Sequence, residues 1–257
     1  MPTPLLLLVD DAPELGDIVA YLGKRSGVEV VACVDVPSAW TFLQTRRPDL
    51  LLVDVNLPVV SGPELVRRVR AEAPLADLPV ALFSHWGLPG DIATGLEAGA
   101  DYVLSKDLVS RPAEWRQRLE EILGDKDSRG GRDRVGLDEG VVAGPVRPDW
   151  PEALNLALLT GLARVVGPEV LRVVVRRAFI RARIPPLSDA EVARWMTSDG
   201  LIVCCPELTA ALDSSALAAT AGSLAGQVRR LLGAEASRPF REALARVVPG
   251  SPGLVPH

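Results

Sequence analysis

The stretch Leu5-Leu6-Leu7-Leu8-Val9-Asp10-Asp11 decides how the rest of the chain is read. An unbroken apolar run without alternation suits a strand buried on both faces, as in a parallel sheet. Two carboxylates directly behind it mark the strand end where open α/β sheets bind their ligands. Four more short apolar runs follow, at 28–33, 50–53, 80–83 and 102–104. Amphipathic stretches at 14–25, 38–47, 63–72, 91–98 and 112–123 separate or follow them, with Ser38 behind Pro37 as the expected N-cap of the second. This alternation predicts an α/β fold with a doubly wound, five-stranded parallel sheet.

The 257 residues allow one or two domains. Residues 124–149 hold 6 Gly, 2 Pro and 11 charged residues and offer almost nothing to bury, so they read as a flexible linker. The expected division is therefore a first domain at 1–123, the linker at 124–149, a helical domain at 150–248 and a frayed tail at 249–257. Charge divides the same way. Residues 1–123 carry 11 basic and 18 acidic groups, and residues 151–257 carry 12 and 9, every one of those 12 cations an arginine. An acidic first half is a poor surface for nucleic acid. No apolar run reaches the ~18 residues of a membrane span, and no signal peptide is expected. Three cysteines, Cys33, Cys204 and Cys205, make no disulfide framework and fit a reducing cytoplasm. No Rossmann or Walker glycine pattern is present.

The residues that end the apolar runs carry the chemistry. Asp10 and Asp11 follow the first, Asp54 the third, Ser84 the fourth and Lys106 the fifth. Carboxylates crowded at one sheet edge repel one another and suit a hard divalent cation such as Mg²⁺. A lysine ammonium and a serine hydroxyl beside them can bind phosphoryl oxygens, and a carboxylate so placed can act as a nucleophile toward phosphorus.

These motifs, in order, are Leu-Val-Asp10-Asp11, Val-Asp54-Val-Asn-Leu-Pro58 with Gly62, Phe-Ser84, and Gly-Ala-Asp-Tyr-Val-Leu-Ser-Lys106. Residues 1–123 thereby resemble the receiver domain of bacterial two-component response regulators, with its flavodoxin-like, CheY-like fold. The resemblance implies Asp54 as phosphoacceptor and Asp10, Asp11, Asp54 and the Asn56 backbone carbonyl as Mg²⁺ ligands. It implies that Ser84 and Lys106 contact the phosphoryl group, and that the donor is a sensor histidine kinase. Three positions depart from the family pattern. Val103 stands where an aromatic residue often reports phosphorylation, Tyr102 falling on the opposite face of the strand. Asp107 stands where a cis proline often follows the lysine, so a trans bond is expected. His85 and Trp86 follow Ser84, where small or polar residues are common. Trp86 is a candidate shield of an acyl phosphate from water, and His85 reads as a surface loop histidine.

The second domain reads as a small α-helical bundle. A helix is expected over 152–166, interrupted by Gly167-Pro168. The next runs over 169–184, with Leu171, Val174, Val175, Ala178 and Ala182 on one face and Arg172, Arg176, Arg177, Arg181 and Arg183 outside. A capping box opens a short helix at 188–197, and 201–205 reads as strand or buried connection, with Cys204 and Cys205 as core residues. A helix capped by Asp213 or Ser214 runs to Leu232, carrying Leu217, Leu224, Val228 and Leu231. The last starts at Ser237 and Pro239 and runs to Val247. The expected protein is not an enzyme. It is a response regulator whose Asp54 switches a protein-interaction or dimerisation domain, with a second copy of the chain as a partner and no membrane. The alternatives are a transcriptional regulator binding DNA through the arginine-rich helix 169–184, and a receiver-type scaffold that is never phosphorylated.

Overall fold

The computed structural model describes residues 3–85, 89–125, 154–155, 157–158, 162, 164–181 and 214–248. Beyond them lie Trp86, most of the expected linker, the tail 249–257, the capping-box helix 188–197, and the run 201–205 with Cys204 and Cys205. The chain divides into two compact units, Met1–Asp133 and Arg134–His257.

In the first unit, strands and helices alternate as β1 (Leu5–Val9), α1 (Pro13–Arg25), β2 (Glu29–Cys33), α2 (Val36–Thr45), β3 (Leu50–Asp54), α3 (Gly62–Ala71), β4 (Val80–Ser84), α4 (Pro89–Glu97) and β5 (Tyr102–Ser105). A 3-10 turn (Lys106–Ser110) and α5 (Pro112–Gly124) complete it. The strands form one parallel sheet in the order β2-β1-β3-β4-β5. β1, β3, β4 and β5 are buried along their whole length, whereas the edge strand β2 is largely accessible. This explains why the inner strands read as unbroken apolar runs. β3, β4 and β5 each extend one residue past the apolar run, through Asp54, Ser84 and Ser105. Backbone pairing continues there (Asp54 with Phe83, Ser84 with Ser105) although side-chain polarity has changed.

One core face gathers Leu6, Leu8, Leu50, Leu52, Phe83, Tyr102 and Leu104 of the sheet under Val19 and Leu22 of α1 and Trp115, Leu119 and Ile122 of α5. Each such fully buried side chain is worth about 1.5–3 kcal/mol. Trp115 meets Phe83 edge to face, ring centroids 6.1 Å apart. The helix α2 departs from the sequence expectation. Its N-cap is Asp35, whose carboxylate accepts the Ser38 N–H at 2.8 Å, and Ser38 lies inside the first turn. Pro37 tolerates a first-turn position because its missing N–H is not needed there.

A second polar device holds the opposite, amino edge of the sheet. Arg70 of α3 donates to the carbonyl oxygens of Gly99 (2.9 Å), Leu78 (2.7 Å) and Ala76 (3.2 Å) and to Asp101 Oδ2 (2.6 Å). Asp101 Oδ2 also accepts the Val80 N–H at 3.0 Å. The guanidinium thus ties the end of α3 to the segments that lead into β4 and β5.

The described residues of the second unit are helical: α6 (Arg164–Arg181), α7 (Ser214–Leu232) and α8 (Arg238–Val247). Gly167 breaks α6 at φ 78°, a left-handed conformation suited to glycine. Only part of the expected arginine face of α6 is at the surface. Arg172 is exposed, but Arg176 and Arg177 are half-buried, and Val170 and Val173 join Leu171, Val174, Val175 and Ala178 in the core. The buried arc is wider than a one-sided amphipathic reading allows; the side chains of Arg181, Ala182 and Arg183 lie outside the described residues. α7 packs on α6 and buries Leu217, Leu224, Val228 and Leu231. Ser237 precedes α8 but does not cap it with its side chain. Its hydroxyl donates backward to the Ala234 carbonyl at 3.1 Å. No helix among the described residues is long and apolar enough to cross a membrane.

Arg70→Lys keeps the charge but cannot reproduce the planar fork that reaches these acceptors. The expected result is a loss of about 2 kcal/mol of stability, read from the urea midpoint, with the secondary structure retained.

Candidate functional site

The strand order places β1 and β3 side by side, and their register aligns Val9 with Val53. Asp10 and Asp54 therefore leave the carboxyl edge at one level, where the chain reverses its winding. Asp10 is buried, its side chain fully enclosed, and Asp11 beside it is exposed. Asp10, Asp11 and Asp54 each offer an oxygen within 4.8 Å of the others.

Lys106 lies two residues beyond Leu104, which pairs with Phe83, itself the partner of Asp54. Its side chain passes over the Phe83 ring, 5.8 Å from the centroid, and reaches back across β4. The ammonium ends 2.9 Å from Asp54 Oδ2 and 2.8 Å from Asp10 Oδ2. Burial by itself pushes this ammonium down. The Asp10 and Asp54 carboxylates outweigh that and hold it above the ordinary lysine value of 10.5. Asp54 Oδ1 accepts the Asn56 N–H at 3.3 Å, and Asp10 Oδ1 accepts the Ala12 N–H at 3.1 Å. Asp10 Oδ2 is buried and has no aligned hydrogen bond in addition to its ion contact with Lys106. Three carboxylates facing one ammonium leave negative charge in excess. A hard divalent cation held by oxygens fits this donor set and its under-satisfied buried oxygen.

The loop after β3 is shaped to bring α3 against the site. A Cβ added at Gly62 would lie 2.0 Å from the Asp54 carbonyl oxygen, and the Gly62 N–H donates to the Val55 carbonyl at 3.2 Å. Only glycine lets the start of α3 approach the backbone of Asp54 so closely. Between them, Val59 is exposed at φ 68°, and the Val60 N–H donates to the Pro58 carbonyl at 2.8 Å, a tight γ-turn. Nothing in the local sequence signals that conformation, because a β-branched residue rarely adopts it.

The remaining predicted residues are placed as follows. Ser84 is buried, and its hydroxyl donates to the His85 carbonyl at 3.3 Å. The Asn56 side chain donates to Asp91 Oδ2 of α4 at 3.2 Å, a partner that sequence spacing did not reveal. Tyr102 is buried in the core, its hydroxyl donating to Asp125 Oδ2 at 2.8 Å, while Val103 is buried on the other face. His85 is exposed, and its Nδ1 faces Asp107 Oδ1 at 3.4 Å. Reading His85 by itself missed this pair, because its partner lies in the 3-10 turn after β5. All peptide bonds among the described residues are trans, that of Lys106–Asp107 included.

With this geometry in place, comparison with known proteins is informative. Residues 6–120 match the family model described as the response regulator receiver domain, and this region of the chain belongs to that family. The chain is 32% identical over 145 residues to the sensory transduction protein RegX3 of Mycolicibacterium smegmatis, 56% of this chain and 60% of that protein. It is 36% identical over 152 residues to the transcriptional regulatory protein PrrA of Mycobacterium bovis, 58% of this chain and 60% of that protein. The matches thus span about 60% of the length of these relatives. Among solved structures, the receiver domain of the sensor histidine kinase PA1611 from Pseudomonas aeruginosa is 27% identical. It covers 48% of this chain and 99% of its own, with a TM-score of 0.44.

Two outcomes are expected at this site. Gly62→Ala forces backbone apart and should cost about 1–3 kcal/mol in urea unfolding. Lys106 is held above its ordinary value, so its stabilisation is complete below that value and is lost as pH rises through the folded-state pKa. The stability difference between the wild type and Lys106→Met should therefore be constant up to about pH 10 and shrink above it, as followed by thermal unfolding across pH.

Proposed function

We propose that the chain is a two-component response regulator in which residues 1–123 accept a phosphoryl group on Asp54 from a phosphohistidine of a sensor histidine kinase. The observation that carries this is the Lys106 ammonium lodged between Asp10 and Asp54 beside the exposed Asp11. In the reaction an Asp54 carboxylate oxygen attacks phosphorus, and the phosphorus–nitrogen bond to the donor imidazole breaks. The bonding pair returns to that nitrogen, leaving an acyl phosphate on Asp54. Lys106 orients the nucleophile and neutralises phosphoryl charge, and Asn56 N–H fixes the second carboxylate oxygen. Asp10, Asp11, Asp54 and the Asn56 backbone carbonyl would hold Mg²⁺, which when bound would supply the positive charge that phosphoryl transfer needs beyond that of Lys106. The Ser84 hydroxyl then exchanges the His85 carbonyl for a phosphoryl oxygen.

The helical domain at 150–248, joined through the linker 124–149, is the output. Its buried α6–α7 contact and thin chemistry support protein interaction or self-association, in a cytoplasmic signalling protein that performs only its own phosphorylation and dephosphorylation. Binding of DNA through helix 169–184 is the second reading. It is favoured by the name of the relative PrrA as a transcriptional regulatory protein, and opposed by the half-burial of Arg176 and Arg177. Binding of the full chain to duplex DNA with a steep salt dependence would establish it; no binding at low salt would remove it.

Acetyl phosphate with Mg²⁺ should add one phosphoryl group to the full-length protein, seen by intact mass, and none to Asp54→Ala. Unmodified wild-type protein in that experiment leaves the receiver as a docking scaffold.

A further inference from the structure

Two segments close the carboxyl edge of the sheet beside Lys106, one after β4 and one after β5. Ser84 ends β4 with its hydroxyl turned to the carbonyl of the next residue, His85. The His85 imidazole reaches sideways to the other segment, where Nδ1 lies 3.4 Å from Asp107 Oδ1. Asp107 is itself set in place. Its Oδ2 accepts the Ser105 hydroxyl at 3.1 Å, and its N–H donates to the Ser105 oxygen at 3.1 Å. Lys106, next in the chain, is turned to Asp10 and Asp54, and so does not neutralise Asp107. Among the described residues, the His85 imidazole faces this carboxylate.

We propose that the His85–Asp107 pair is a latch that positions Ser84. It ties the residue after β4 to the 3-10 turn after β5 and so holds the Ser84 hydroxyl on the His85 carbonyl. This rests on the phosphoacceptor reading of Asp54. Ser84 can reach a phosphoryl group on Asp54 only by releasing that carbonyl, and a shift of the Ser84–His85 peptide moves the imidazole away from Asp107. The side chains of Tyr102 and Val103 on β5 do not join this contact. Tyr102 is locked on Asp125 on the far face, and Val103 has no polar group to exchange. Both members of the pair are solvent-exposed, with side-chain accessibilities of 66% and 62%. Exposed pairs are weak and screened by salt. A weak contact is what a bound phosphoryl group can overcome.

The test is calorimetric titration of the full-length protein with beryllofluoride in the presence of Mg²⁺ at low salt. His85→Gln and Asp107→Asn should each bind about threefold more tightly than the wild type, and the double variant no more tightly than either. The gain should fade in molar salt, and Mg²⁺ by itself should bind all four proteins equally. A lesion that merely disturbed the loops would weaken binding. Unchanged or weaker binding by the single variants, or additive gains in the double variant, overturns the latch. If the wild type binds beryllofluoride no better than Asp54→Ala, the phosphoacceptor reading fails and the latch falls with it.

Discussion

The architecture of the first unit turns on one ammonium group. Lys106 sits between two carboxylates that the strand order forces together, at 2.8 and 2.9 Å. β1 and β3 are hydrogen-bonded neighbours, so Asp10 and Asp54 cannot avoid each other once the sheet forms. Their repulsion in a buried setting is strongly unfavourable unless positive charge is brought in. Lysine suits the task because its chain is long enough to reach Asp10 and Asp54 from the end of β5, with Nζ 5.8 Å from the Phe83 ring centroid. The ammonium offsets part of the charge and leaves the cluster anionic, a donor set that suits a hard cation.

Around that centre the two edges of the sheet are built differently. The amino edge is stapled by the Arg70 fork and the Asp101 carboxylate, which leave α3, β4 and β5 little freedom to slide. The carboxyl edge is made of loops: the γ-turn at Val59, the Ser84–His85 step and the 3-10 turn after Lys106. The exposed His85–Asp107 contact belongs to the carboxyl edge, and so does the close approach of Gly62 to the Asp54 backbone.

The described residues of the second unit contribute packing. Among its described side chains, α6 buries Val166, Val170, Leu171, Val173, Val174, Val175 and Ala178, an arc broader than one amphipathic face. Its arginines are consequently less available than their spacing suggested. A helix seen only as a wheel carries no information about how many neighbours it will have, and burial depends on those neighbours.

Much of the receiver was legible from residues 1–123 because its determinants are local. Unbroken apolar runs mean strands buried on both faces, helical periodicity between them means crossovers, and polar residues at the run ends mean a site at the carboxyl edge. That logic found Asp10, Asp11, Asp54, Ser84 and Lys106 and placed them at one edge of the sheet. It could not find Asp35 as the cap of α2, the Arg70 fork, the positive φ of Val59, or the partnership of His85 with Asp107. Each of these depends on which backbone atoms face which side chain across elements, a matter of register and distance. Sequence by itself thus determined the order of strands and helices and the chemical character of the strand ends. Tertiary structure decided which charges touch, because contact between residues far apart in the chain is set by the winding of the sheet and the packing of its helices.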